Sequence, residues 1–354
     1  MNILIVKLTA LGDVTHTLPA LTNLRRAVPD AKITWLVEDS AQDLLHGHPA
    51  LNRVLVWPRK HWKNLTREKR LIELTADFRR FVRDLRDTTY DLAIDFQGLL
   101  KSATWMTIAR ARRKAGYGPG QRHDEHAWHA LNEKIPVTLP NAHAIDRNLR
   151  LVEALGFPRL PIAFDLPAPE EPRQEIERLL AATGIAPDAR FVAINSMTRW
   201  PTKNWSPTHF AAVADHLLAA DVPVVFTGAR GDREALDAIV AAMNRRPAIR
   251  LDGLTSLPAL AALFRRAAVV LSTDTGPMHI AVAVGTPVVA LFGPTSPEYT
   301  GPYGNQNRVL RAGLSCSPCY ERTCRTTQFE PHACMLRLDP KNVAEEVLAM
   351  LRSQ

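Results

Sequence analysis

Apolar runs that end in short polar turns and pass straight into helical sequence recur along this chain. In the clearest case Ala267-Ala268-Val269-Val270-Leu271 predicts a buried strand, Ser272 to His279 a turn, and Pro287 to Phe292 the next strand. Within the turn, Asp274 and Thr275 are helix-capping residue types, Gly276 removes side-chain bulk, and Ile280 to Val284 continues as a short apolar helix. Such a junction aims backbone N–H groups outward, and these orphan amides, with the positive end of the helix dipole, favour phosphates. Ordinary strand-to-helix turns exist in every α/β protein, so the motif gains weight from its recurrence.

The chain opens on the same pattern. Met1 to Lys7 is a continuous apolar strand of the kind found in parallel sheets covered on both faces. It runs into Leu8 to Leu21, a turn with one glycine, Gly12, followed by helix. The dinucleotide fingerprint needs three spaced glycines, which disfavours a dehydrogenase. Asp13 stands where the helix begins, at the strand edge where α/β proteins bind ligands. An aspartate there is also a helix cap, and from these residues alone both readings stand.

Strand and helix patterns alternate from end to end. Strands are predicted at 33–37, 53–56 and 92–95, and helices at 15–28, 66–87 and 145–156. The proline-rich stretch from Gly156 to Arg173 reads as a linker. A second series follows, with strands at 191–194, 222–226 and 249–251 and helices near 207–220, 231–244 and 258–266. The predicted fold class is α/β: two Rossmann-like, doubly wound parallel-sheet domains facing a cleft.

At 354 residues, 46% hydrophobic, the chain is long enough for two domains with their own cores. No stretch approaches the ~18 uninterrupted apolar residues of a membrane span. Lys7 and Asp13 interrupt the apolar N-terminus, which argues against a secretory signal and for a cytoplasmic protein. The net charge of +8 points to acidic partners. The excess is local: from Arg53 to Arg86 basic residues far outnumber the acids Glu68, Glu73, Asp77 and Asp84. Arg79, Arg83 and Arg86 recur at helical spacing, as on a solvated face. In Trp57 to Lys63, two indoles among cations suit an amphipathic surface that meets an anionic saccharide or lipid.

Two further junctions lie in the second half. Asn195 to Ser206 is a polar loop in which Thr198 and Lys203 pair a hydroxyl with an ammonium, a combination suited to a diphosphate. Phe226 to Glu234 is a strand–glycine–helix junction with Asp232 and Glu234 at the helix start, fit to accept from ribose hydroxyls or to cap the helix. Loops 195–206, 227–234 and 272–279 would line one edge of one sheet, and a nucleotide-sugar fits that edge.

At this point the chain resembles glycosyltransferase family 9, the ADP-heptose:lipopolysaccharide heptosyltransferases. The matching pieces are Leu11 to Leu21, Asp95-Phe96-Gln97-Gly98-Leu99-Leu100-Lys101-Ser102-Ala103, Thr198-Arg199 through Lys203-Asn204-Trp205, Asp274 to His279, and Leu291 to Thr295. They cover most of the chain, in order. The opening and the Asp95 block are most similar to members that add the first heptose to the Kdo residues of the inner core. The resemblance implies a GT-B fold with an acceptor-binding domain over 1–165, a donor-binding domain over 166–340, and a helix at 341–354 that packs back on the first domain. It implies transfer from ADP-heptose with inversion, to Kdo2-lipid A or a later core acceptor, and no cofactor for catalysis. Asp13 would be the general base. Thr198, Lys203, Asp232, Glu234, Asp274, Thr275, Gly276 and His279 would bind the donor, although a core-facing His279 is a fair alternative. Arg59, Lys60, Lys63, Lys101 and Arg122 would meet acceptor phosphates and carboxylates. The partners implied are ADP-heptose, the lipopolysaccharide core acceptor and, peripherally, the anionic inner membrane. A basic nucleic-acid-binding protein is the rival of a different class, but no binding module is present and no nucleic-acid partner is expected.

All four cysteines fall late, at Cys316, Cys319, Cys324 and Cys334. In a cytosolic chain disulfides are disfavoured. One C-x-x-C pair with two more thiols makes a structural zinc or iron–sulfur site a candidate, although the spacing fits no standard signature.

Overall fold

The computed structural model describes residues 1–120, 125–136, 139, 142–245 and 247–353. The chain divides into two compact units, Met1–Pro167 and Ala168–Gln354. Among the described residues no helix is long and apolar enough to cross a membrane.

The first unit is built on β1 (Asn2–Val6), β2 (Lys32–Glu38), β3 (Arg53–Trp57), β4 (Tyr90–Asp95), β5 (Ala111–Tyr117) and β6 (Glu133–Ile135), in the order β3-β2-β1-β4-β5-β6. Every pairing is parallel. Ile3, Leu4, Ile5 and Val6 are all fully buried, which is why β1 reads as an unbroken apolar run. The second unit carries β7 (Val192–Asn195), β8 (Val224–Thr227), β9 (Ile249–Arg250), β10 (Val269–Thr273), β11 (Val288–Leu291) and β12 (Arg308–Leu310). Their order, β12-β11-β10-β7-β8-β9, repeats the first sheet's winding, again all parallel. In each sheet the chain starts in the middle, winds outward one way, then returns to wind the other. That reversal leaves a switch point between β1 and β4 and another between β7 and β10, where ligands bind in doubly wound sheets.

Several expectations are corrected here. The helix expected at 66–87 spans Leu71–Arg86, and a second helix, Arg59–Arg67, precedes it, the two separated at Lys69, whose φ of 57° is left-handed. Trp57 and Trp62 are half-buried and do not present two open indole faces. They turn inward against Trp105, Phe78 and Phe81, with Trp57 5.2 Å and Phe81 4.8 Å from Trp105 between ring centroids, because packed rings bury more apolar area than exposed ones. The terminal helix, expected near 341–354 and packed on the first domain, spans Pro340–Arg352 and belongs to the second unit. Val343, Ala344, Val347, Met350 and Leu351 form its buried stripe, in one cluster with Phe210, Val213 and Leu217 of helix Pro207–Ala219. The Arg190 guanidinium fastens its end by donating to the Leu351 carbonyl at 2.6 Å.

Candidate active site

In the first unit, β1 ends at the switch point and Lys7 to Ala10 lead into helix Leu11–Ala27. Asp13 lies in its first turn and accepts from the Ala10 amide at 3.2 Å. The capping reading therefore holds, but it occupies only part of the carboxylate, whose side chain remains 45% exposed. The Lys7 ammonium stands 3.9 Å from Asp13 Oδ2 and donates to the Phe96 carbonyl at 3.0 Å. Lys7 is buried, and desolvation holds its pKa below the usual lysine value against the opposing pull of Asp13 and Asp95.

The Asp95 block builds this edge. Asp95 Oδ1 accepts from the amides of Gln97 (2.8 Å) and Gly98 (3.0 Å), and Oδ2 accepts from the Ser102 hydroxyl (2.8 Å). Burial pushes the Asp95 carboxyl above its ordinary pKa. Gln97 Oε1 then accepts from the amides of Leu8 and Thr9, both at 3.0 Å, pinning the loop that carries Asp13.

Glu38 gathers two of the sequence-predicted cations. Its buried carboxylate closes β2 and takes Lys101 Nζ at 3.0 Å on one oxygen and Arg59 at 3.4 Å on the other. Lys101 also donates to the Thr9 hydroxyl, so Lys101, Thr9, Glu38 and Arg59 form one chain beside the Asp13 loop. Lys60 and Lys63 are exposed on helix Arg59–Arg67 and do not join it, although the Lys60 amide donates to Asp39 at 3.0 Å. Arg122 lies outside the described residues.

In the second unit the carboxyl ends of three strands are level: Asn195 pairs with Ser272 on one side and with Thr227 on the other. Loops 195–206, 227–234 and 272–279 therefore share one sheet edge, as the sequence predicted. At the switch point Lys203 Nζ donates to Asp274 Oδ2 at 2.6 Å, both side chains nearly buried. The Thr295 hydroxyl donates to the same oxygen at 2.6 Å, and Lys203 also lies 4.5 Å from the Trp200 ring centroid. Thr198 shapes the loop: its amide donates to Asn204 Oδ1 at 3.0 Å and its hydroxyl accepts from the Trp200 amide at 3.3 Å. Thr275 is the N-cap of helix Gly276–Ala283, with Pro277 inside its first turn. Among the described residues no side-chain cap bond occupies that end. Beside it, the Ser196 and Thr273 hydroxyls are buried without a hydrogen-bond partner among the described residues, which costs free energy unless something accepts from them or donates to them.

The remaining predicted residues divide. His279 is only 6% exposed, in keeping with the core-facing alternative. Asp232 is a cap: its Oδ2 accepts from the Ala229 amide at 2.7 Å. Glu234 is exposed in the first turn of helix Arg233–Ala242. A Cβ on Gly228 would stand 3.2 Å from Asp232 Cβ and Leu236 Cδ1, so the strand end and the acidic turn approach closely there.

The four cysteines are free and line one cavity of about 380 Å³ with Ser315, Glu321 and Arg325. Burial, reinforced by the other three thiols, pushes the Cys334 thiol up to about 11. Among the described residues no group of three or more His, Cys, Asp or Glu side chains is placed to hold a metal ion. The structural-metal candidate at these cysteines thus finds no support.

Glu38, Lys7 and Thr295 carry much of this geometry and were not singled out as site residues. Glu38 had a readable signal, an acid closing the apolar run Ile33 to Val37 at the sheet's carboxyl edge. Lys7 showed only as an interruption, and Thr295 only as the end of a motif.

Residues 78–330 match the model of glycosyltransferase family 9 (heptosyltransferase). The chain is 32% identical to lipopolysaccharide heptosyltransferase 1 of Pseudomonas aeruginosa over 99% of this chain and 98% of that one. Two solved structures are similar over 99% of this chain at 25% identity. One is E. coli heptosyltransferase WaaC with ADP, TM-score 0.77, covered over 100% of its length. The other is the same enzyme with ADP-2-deoxy-2-fluoro heptose, TM-score 0.74, covered over 99%. With these likenesses over its whole length, and two doubly wound sheets of GT-B type, the chain belongs to glycosyltransferase family 9 and is a glycosyltransferase of the heptosyltransferase kind.

Proposed function

We propose that this enzyme moves a heptose from ADP-heptose to a Kdo residue of the lipopolysaccharide inner core, with inversion at the anomeric carbon. The observation that carries the reading is the Lys203–Asp274 pair at the switch point of the second sheet, beside an uncapped helix N-terminus. The similar WaaC structures hold ADP and ADP-2-deoxy-2-fluoro heptose, which supports the same donor here.

Each unit has its own part in the reaction. In the first, Asp13 takes the proton of the acceptor hydroxyl as its oxygen attacks the anomeric carbon. The C1–O bond to the diphosphate breaks as the new C1–O bond forms, and ADP leaves with the bonding electrons. Lys7 keeps a positive charge near Asp13 and supports the carboxylate it faces. Lys101 and Arg59, held by Glu38, meet acceptor carboxylates or phosphates, with Lys60 and Lys63 beyond them. In the second unit, Lys203, Thr198 and the amides after Thr275 stabilise the negative charge that develops on the diphosphate. Asp274 orients Lys203 and accepts from heptose hydroxyls, and the acidic turn Asp232 to Glu234 faces the ribose. The acceptor is lipid-linked, so the enzyme acts at the cytoplasmic face of the inner membrane.

The test is transfer from ADP-heptose to Kdo2-lipid A with EDTA present, following ADP release and the mass of the lipid product. Addition of one heptose in EDTA is the expected result. ADP binding without transfer to this acceptor, but with transfer to a heptosylated core, would move the enzyme to a later step.

A further inference from the structure

We infer that the hairpin of helices Arg59–Arg67 and Leu71–Arg86 is a docking surface for an anionic bilayer, with Leu71 and Ile72 as its inserting tip. Residues 66–73 are exposed without interruption. Ile72 is 87% and Leu71 59% exposed, and Phe78 is 41% exposed on the same helix. Water-facing aliphatics at adjacent positions of a helix start cost free energy and contribute nothing to the core. Trp62 and Phe81 of the hairpin, in contrast, are spent on the inward cluster around Trp105.

Charge identifies the occupant. Between Arg59 and Arg83 the sequence carries nine Arg and Lys residues against three carboxylates. Those three are already engaged: Glu68 and Glu73 with Arg70, and Asp77 with His61 and Arg80. Lys63, Arg67, Lys69 and Arg79 are exposed and form no ion pair among the described residues. A nucleic acid would use the cations and leave Leu71 and Ile72 in water; a neutral protein surface would do the reverse. An anionic bilayer uses both, taking aliphatics below its headgroups and cations at them, and it requires no shape complementarity. The inference deepens the proposal of a lipid-linked acceptor, on which it rests for the identity of the membrane.

The experiment is co-sedimentation of the full chain with phosphatidylcholine vesicles, with and without phosphatidylglycerol, beside turnover on a lipid-free Kdo acceptor. The wild type is expected to bind the anionic vesicles at least about tenfold more tightly than the neutral ones, and less so as salt rises. Leu71→Asn/Ile72→Asn should weaken anionic-vesicle binding by about tenfold or more. Arg67→Gln/Lys69→Gln/Arg79→Gln should weaken it and flatten its salt dependence. Both variants should melt with the wild type and turn over the lipid-free acceptor at its rate. Vesicle binding unchanged in both variants would overturn the inference, as would tighter binding to duplex DNA through the same cations, or a wild-type dimer that Leu71→Asn/Ile72→Asn dissolves. Loss of turnover on the lipid-free acceptor in the wild type would count against the proposed reaction and leave the vesicle result to stand by itself.

Discussion

Lys203 and Asp274 meet at 2.6 Å across the switch point of the second sheet, although 71 residues separate them in the chain. Both are nearly buried, so each needs the other. Lys203→Met should leave the Asp274 carboxylate desolvated and lower stability by about 3–5 kcal/mol. Lys203→Met/Asp274→Leu should recover much of that stability while ADP binding stays lost. Denaturant midpoints with ADP titration by calorimetry separate the two effects. Full ADP affinity in the stable double variant would place the pair outside the donor site.

Glu38 holds Lys101 and Arg59 together. Glu38→Gln keeps the shape and removes the charge that positions both cations. The expected result is a loss of roughly tenfold in kcat/KM for the acceptor, the cost of one weakened buried contact, with KM for the donor unchanged. Steady-state kinetics with each substrate varied in turn checks this; an equal change in both would contradict it.

Asp95 acts through structure. Asp95→Ala leaves two amides and the Ser102 hydroxyl without their acceptor. A loss of about 2–3 kcal/mol is expected, together with loosening of the Asp13 loop that Gln97 pins. Hydrogen exchange at the Leu8 and Thr9 amides reads the second effect, and protection equal to the wild type's would contradict it.

The cysteines give a pH-dependent prediction. With its thiol pushed up to about 11, Cys334 carries about one thiolate per thousand at pH 8. Alkylation followed by mass spectrometry should modify exposed Cys319 early and Cys334 last. The Cys334 rate should rise about tenfold per pH unit until it levels near pH 11. Equal labelling of Cys334 and Cys319 at pH 8 would contradict this.

How much of this was legible varies by element. Runs such as Ile3 to Val6 and Val269 to Leu271 are fully buried strands, and their composition alone betrays them. β5, Ala111–Tyr117, was missed because three consecutive cations, Arg112, Arg113 and Lys114, mask a strand whose burial begins only at Ala115. The break at Lys69 was missed because no glycine or proline marks it. The shared edge of loops 195–206, 227–234 and 272–279 was legible, since parallel winding brings strand ends level. The partners within that edge were not: pairing of Lys203 with Asp274, or of Glu38 with Lys101, depends on strand order and register. The half-burial of Trp57 and Trp62 was not legible, because local sequence shows cations beside the indoles and hides the distant Trp105 and Phe81 that pack against them.

The proposed role of Asp13, taking the acceptor's proton during heptose transfer, is tested by one paired measurement. Heptose transfer from ADP-heptose to Kdo2-lipid A should be compared between the wild type and Asp13→Asn, with ADP affinity measured on both. The expected result is steady transfer by the wild type, loss of at least about a hundredfold in the variant, and equal ADP affinity. Transfer by Asp13→Asn within a few-fold of the wild type would contradict it.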